Sequence, residues 1–186
     1  MKDIEKGTFV NVEIIPNREE SIKVFNELFK DAKKEILIIL SSANAFFRID
    51  DNIGFKEIED LAYSGVKAKI LIPLRIEIQD SINQFISKYQ KIEFRYLQNT
   101  LESLIGITII DREKVLLLEI KDDAKRNYID SIGLTIFIEG KSASSSYASI
   151  FDSLWKQTEL YEQLKQAFLQ LQIHDKMQRV YQYSSP

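Results

Sequence analysis

Along the first hundred residues the apolar positions switch repeatedly between a period of two and a period near 3.6. GTFVNVEII (7–15) alternates side-chain character and is rich in β-formers, which predicts a first strand. Pro16 and Asn17 punctuate the chain. Ile22, Phe25, Leu28 and Phe29 then recur at helical spacing, with Asn17 placed as the cap and Glu19 and Glu20 in the first turn. EILIILS (35–41) is a short continuous apolar run, the pattern of a strand covered on both faces. The unit repeats with a helix over 54–65 stopped by glycine and a buried strand over 66–74. It repeats again with an amphipathic helix from Ile76 and a strand over 91–97. Strands alternating with helices of this length predict a parallel sheet with right-handed crossovers.

From Ser103 the rhythm changes. SLIGITIIDREKVLLLEI reads as two β-runs joined in an antiparallel hairpin with Asp111 and Arg112 at its tip. KDDAKRN is a charged loop, and DSIGLTIFIE (130–139) is a further strand. The fold class is therefore α/β, with a parallel βαβ half, an antiparallel hairpin and flanking helices.

The last segment is a continuous helical pattern. Ile150, Gln157, Leu164 and Leu171 form one row at a spacing of seven, and Leu154, Tyr161 and Phe168 form its companion. Six of these seven positions are apolar or aromatic. So narrow a seam is what a coiled coil needs, whereas a helix lying on a sheet shows a wider stripe. From spacing alone the two readings stand level, because three heptads is the short limit for a coil. Length favours projection: a helix over 143–183 is roughly 60 Å long at 1.5 Å per residue. The chain divides into a domain over 1–142 and a C-terminal coiled-coil helix over 143–186, with a second copy as the simplest partner for its seam.

Composition narrows the chemistry. A net charge of −3 and a sequence pI near 5.4, without a basic run, argue against a general nucleic-acid binder. With no cysteine there are no disulfides or thiolate metal sites, and the chain's one histidine makes no histidine-rich metal centre. The longest nearly uniform apolar run, ILIIL, is far too short to span a bilayer, which predicts a cytoplasmic protein without direct membrane insertion. No glycine-rich phosphate loop or G-x-S-x-G elbow occurs, so neither a cofactor nor a catalytic residue is expected. His174 lies in the terminal helix as a solvated residue, and Trp155 reads as a packing residue. RIDD (48–51) is the densest polar cluster assigned to a loop; its groups suit a cation or a polar ligand, but a capped turn before the next helix is the favoured reading, as Asp is a common cap.

Open parallel sheets bind ligands beyond the carboxyl ends of their strands. Those ends carry Ser41, Ser42 and Asn44, then Pro73 and Arg75, then Gln98 and Asn99. The candidate ligand residues are Ser41, Ser42, Asn44, Arg75 and Asn99, with Arg75 the charge in this set that suits a carboxylate or phosphate.

GITIIDREKVLL followed by DSIGLTIFIEGKSASSSYASIFDSLWKQTELYEQL resembles the phospholipase D-like sensor domain of archaeal histidine kinases. A related effector domain occurs in archaeal sugar-responsive transcription regulators. Catalytic members of the superfamily carry H-x-K-x-x-x-x-D on a strand. With Asp111 as the aspartate, the histidine position is Leu104 and the lysine position Gly106. HDK at His174 supplies H-x-K, but its aspartate position is Tyr181. The resemblance thus implies a phospholipase D-like mixed sheet that has lost its catalytic motif. After HDKMQ those kinases continue into a phosphoacceptor box and an ATP-binding domain, where this chain reads RVYQYSSP. The expected function is a non-catalytic input module of a two-component histidine kinase. It senses an unknown small-molecule or protein signal and passes it through a dimeric C-terminal helix to a kinase output domain. The alternative is the effector domain of an archaeal transcription regulator, or a free-standing adaptor.

Overall fold

The computed structural model describes residues 10–52, 54–98 and 104–183, with side chains described outside 50–52 and 173–183. Among these residues seven strands form one sheet, in the order β1-β7-β6-β5-β2-β3-β4. The parallel half comprises β2 (Glu35–Ile39), β3 (Lys67–Pro73) and β4 (Ile92–Leu97). The antiparallel half comprises β5 (Ile105–Ile110), β6 (Lys114–Ile120), β7 (Ile132–Glu139) and β1 (Asn11–Ile15). β5 is the hinge of this arrangement, since it pairs antiparallel with both β2 and β6.

The alternation of side chains along each strand divides the core in two. Ile36, Ile38 and Leu40 face one layer with Ala68, Ile70 and Ile72. That layer is closed by α1 (Arg18–Lys30), α2 (Ala43–Asn52), α3 (Phe55–Tyr63), α4 (Ile76–Ile86) and the short α5 (Tyr128–Ser131). Leu37 and Ile39 point the other way, with Leu71, Leu97, Ile109, Val115 and Ile138, onto the single helix α6 (Lys141–Tyr183). β2 is thus buried on both faces, as its uninterrupted apolar run requires. α6 does not reach β1: Val12 and Ile14 are 56% and 62% exposed, beside Leu134 at 40%.

Local signals explain most boundaries. The Asn17 carboxamide accepts the backbone N–H groups of Glu19 and Glu20 at 2.9 and 3.2 Å, starting α1. Between β5 and β6 the chain turns through Asp111 and Arg112, both with positive φ (54° and 58°), an arrangement that needs outside support for an arginine. The support is the Asp111 carboxylate, which accepts the N–H groups of Lys33, Lys34 and Glu35 at 2.9, 2.7 and 2.8 Å. Arg112 adds a bond to Glu35 and a two-pronged pair with Asp152 on α6 at 2.8 and 3.1 Å. The segment RIDD, expected as a loop, lies inside α2. Ala45, Phe46 and Ile49 are buried beside it, and the helical period of those apolar residues outweighs the turn preference of aspartate.

Candidate ligand-binding site at the strand ends

β2 delivers Ser41 and Ser42 to the start of α2. There the Ser42 hydroxyl accepts the N–H of Ala45 at 3.1 Å. Asn44 and Arg48 are four residues apart on α2, so they share a face. Both point at a loop, residues 121–127, that enters from the end of β6. This loop is tied down where the N–H groups of Lys121 and Asp122 bond to Ser131 O at 2.8 and 3.2 Å.

The loop brings one carboxylate into a cluster of donors. Asp123 Oδ1 accepts from Ser42 Oγ and from Arg48 Nη2, each at 2.5 Å. Its Oδ2 accepts from Asn44 Nδ2 at 3.0 Å. The other arm of the guanidinium donates to the carbonyls of Asp123 and Lys125 at 3.1 and 3.0 Å. Arg48 is 2% exposed and the Asp123 side chain 31%. A buried guanidinium is tolerated because its donors are met and its charge is balanced; removing the carboxylate would leave an uncompensated charge.

Beneath this pair lies a cavity of about 40 Å³, bounded by Phe25, Ser41, Arg48, Gly106, Thr108 and Tyr128 among others. The hydroxyls of Ser41 and Tyr128 are buried and have no protein partner. Burial pushes the Tyr128 phenol well above its ordinary value, against the opposing charge of Arg48, so it stays protonated. Gly106 brings no side chain to the cavity. A Cβ there would sit 3.8–3.9 Å from Ile39 O, Leu118 O and Ser41 N. On the outer side, Asn44, Phe47, Arg48, Ser81 and Asp123 line an open groove of about 430 Å³. Arg48 borders both spaces and separates them.

Ser41, Ser42 and Asn44 therefore come together at one site. Arg75 does not join them: its side chain is 55% exposed and faces Glu77 at 3.7 Å. Asn99 lies outside the described residues. Arg48 was assigned with RIDD to a capped turn, and Asp123 and Tyr128 were missed. Arg48 was findable, since N-x-x-x-R is a same-face pair once α2 is recognised as a helix. Asp123 had no local signal, being 75 residues from Arg48 in sequence. Leu104, placed at the histidine position by the resemblance, is 62% exposed, and Asp111 sits at the opposite end of β5 as a backbone cap. Among the described residues no group of three or more His, Cys, Asp or Glu is arranged to hold a metal ion.

The second candidate surface is α6. Ser144, Ala148, Phe151, Trp155 and Thr158 are buried on the sheet. Their spacing of three and four residues defines the core face of the helix. Phe151 and Trp155 stack at 5.5 Å, and Trp155 also receives Lys69 Nζ and Arg95 Cζ over its ring at 4.9 and 4.2 Å. The seam lies on a different face. Ile150 is 50% exposed, Leu154 half-buried and Gln157 exposed, while Tyr161, Leu164, Phe168 and Leu171 are 42%, 71%, 62% and 66% exposed. Every residue over 159–172 is exposed, so α6 both closes the core and projects beyond it. His174 has no described side chain. No described helix is long and apolar enough to cross a membrane.

No family model and no curated protein matches the chain. Solved structures do. TrmBL2, described as an archaeal chromatin protein with a novel mode of DNA binding, shares 22% identity at a TM-score of 0.53. The match covers 83% of this chain but 55% of TrmBL2, so the chain spans about half of that protein's length. NucT from Helicobacter pylori is 13% identical at a TM-score of 0.57, over 80% of this chain and 96% of NucT. Nuc from Salmonella typhimurium, a phospholipase D family member, is 18% identical at 0.54, over 80% of this chain and 95% of Nuc. At these identities the likeness establishes the fold, a phospholipase D-like α/β fold carrying a long C-terminal helix.

Proposed function

We propose that this chain is a non-catalytic sensory module of a two-component histidine kinase. In this reading it works in the cytoplasm as a homodimer joined along α6. A small-molecule or protein signal bound at the strand ends shifts the helix pair, and the shift passes to an output domain. The observation that carries the reading is the exposed seam of α6. Its apolar residues run from the domain onto the projecting part of the helix, on a face distinct from the one that closes the core. An apolar seam of this kind needs a helical partner, and an identical chain supplies one in register. Transmission further requires the signal to prefer one of two helix arrangements.

Leu104 and Gly106, where the resemblance puts a catalytic histidine and lysine, carry no nucleophile or proton donor, which supports a non-catalytic role. The likeness to TrmBL2, described as a DNA-binding chromatin protein, favours a second reading, the effector domain of a transcription regulator or a free-standing adaptor. Both readings use the same dimer helix.

The test is solution molar mass by light scattering on the full chain and on a chain ending at Glu162. That end point retains Phe151, Trp155 and Thr158, whereas ending at Tyr147 would strip the core of its closing helix. A dimer that becomes a folded monomer on truncation supports the input-module reading. An unchanged molar mass overturns it.

A further inference from the structure

We propose that the outer edge of β4 and the underside of α6 form a docking groove for an extended segment of a partner protein. The segment adds a strand to the sheet and carries lysine or arginine at alternate positions. This goes beyond the dimer reading and uses a different face of α6.

β4 ends the strand order, so one of its edges has no strand beside it among the described residues. The carbonyl of Leu97 accepts the N–H of Leu74 at 3.0 Å, which directs the backbone groups of Leu97, Arg95 and Glu93 at β3. Those of Phe94 and Tyr96, the alternate residues, point outward. No described backbone group bonds to them on that side. An edge of this kind is a template for strand addition, in which main-chain hydrogen bonds supply affinity and side chains supply selection.

α6 roofs this edge. Its last buried residue is Thr158, and every residue over 159–172 is exposed as the helix runs on. Between strand and helix lies a groove of about 420 Å³ bounded by Phe94, Arg95, Tyr96, Glu159, Glu162 and Gln166 among others. At about 100° per residue, Leu164, Phe168 and Leu171 lie on the side of the helix opposite Glu162 and Gln166. The seam and the groove are therefore separate surfaces.

Charge selects the occupant. Arg95 faces α6, pairs with Glu159 at 3.9 Å and donates to the Trp155 carbonyl at 3.3 Å. Glu162 has no partner among the described residues, and exposed Glu93 lies on the same face of β4 as Arg95. The roof thus offers carboxylate and carboxamide groups in place of apolar surface. An apolar strand beneath it would strip water from those groups and return no hydrogen bond. Lysine or arginine at every second position answers both the charge and the acceptors. A second copy does not fit, because its own β4 carries α6 on one face and α4 on the other, the latter through Tyr96 Oη donating to Asn83 at 2.8 Å. One of those helices would collide with the roof.

The test is calorimetric titration of the full chain with the capped peptide Thr-Lys-Val-Lys-Val-Lys-Val-Thr at fixed ionic strength. It is expected to bind at least tenfold more tightly than the same sequence with glutamate for lysine. Glu162→Lys alters an exposed side chain outside the core and is expected to weaken binding at least fivefold. Hydrogen exchange at the Phe94 and Tyr96 amides is expected to slow at least tenfold in saturating peptide. N-methylation of the valines or of the lysines blocks one edge of the peptide each, and binding is expected to be lost in one of these two peptides. Equal affinity for the glutamate peptide, unchanged exchange at Phe94 and Tyr96, or binding that survives both N-methylations overturns the proposal. So does an affinity insensitive to Glu162→Lys. Protection of the same two amides without peptide, lost on dilution, would assign the edge to a second copy and also overturn it. None of these results bears on whether truncation at Glu162 dissociates a dimer, so this proposal and the dimer reading fail separately.

Discussion

Trp155→Ala tests whether this ring fastens α6 to the sheet. Trp155 is 8% exposed, so nearly the whole ring is lost from the core. Truncating a buried Trp or Phe costs about 3–5 kcal/mol. The two cations over the ring add roughly 0.5–1 kcal/mol each where they are partly solvated, as Arg95 is. Part of this overlaps with the packing contribution, which places the expected loss at about 4 kcal/mol. Trp155→Phe keeps an aromatic partner for Phe151 and is expected to lose about 1–2 kcal/mol. For a chain of this size, 4 kcal/mol lowers the melting temperature by about 8–16 °C. The assay is urea denaturation followed by far-ultraviolet circular dichroism, since Trp155 is the chain's single tryptophan and its loss removes the fluorescence probe. Hydrogen exchange should show the amides over 141–158 losing protection first. A cost below about 1 kcal/mol, the level of an ordinary surface substitution, would refute the claim that Trp155 fastens the helix.

Three other outcomes follow from named contacts. Asp111→Ala removes three backbone bonds and puts alanine at a φ of 54°, so a loss of about 2–3 kcal/mol is expected, and about half that for Asp111→Asn; a urea midpoint unchanged by Asp111→Ala rules the cap out. The hydrogen bond and charge of Lys114 hold the Asp31 carboxyl below its ordinary 3.8. Its contribution is therefore present above pH 3.8 and is lost as pH falls through the lowered folded value. Lys114→Met should flatten the acid limb of melting temperature against pH, and parallel curves for the two proteins would count against this pair. Gly133→Ala would place a Cβ 2.3 Å from Glu119 Oε2, which accepts the N–H of Leu134 at 2.9 Å. The exposed glutamate swings away at a cost of about 1 kcal/mol. The double variant with Glu119→Ala should cost no more than Glu119→Ala alone, and additive losses would disprove the contact.

Element type was written locally because period and caps are local. The period-two and period-3.6 runs announced the strands and helices, Asn17 marked the start of α1, and DREK marked the hairpin whose tip holds Asp111 and Arg112. The seam of α6 was also legible, since a spacing of seven is visible in one segment. Its orientation was not. Only packing decided that Phe151, Trp155 and Thr158 face the sheet while Leu164, Phe168 and Leu171 face solvent, because one amphipathic helix does not say which apolar row a neighbour will cover. α2 escaped because the aspartates of RIDD favour turns in isolation, and buried Phe46 and Ile49 override that preference. The site divides in the same way. Ser41, Ser42 and Asn44 followed from their place after a parallel strand. Asp123 comes from a loop 75 residues beyond Arg48, and a charge pair across that distance in sequence is created by the sheet order that sets β6 and β5 beside β2. Sequence determines what each segment can become; which charges meet, and which apolar face stays open, depends on long-range packing that no local pattern encodes.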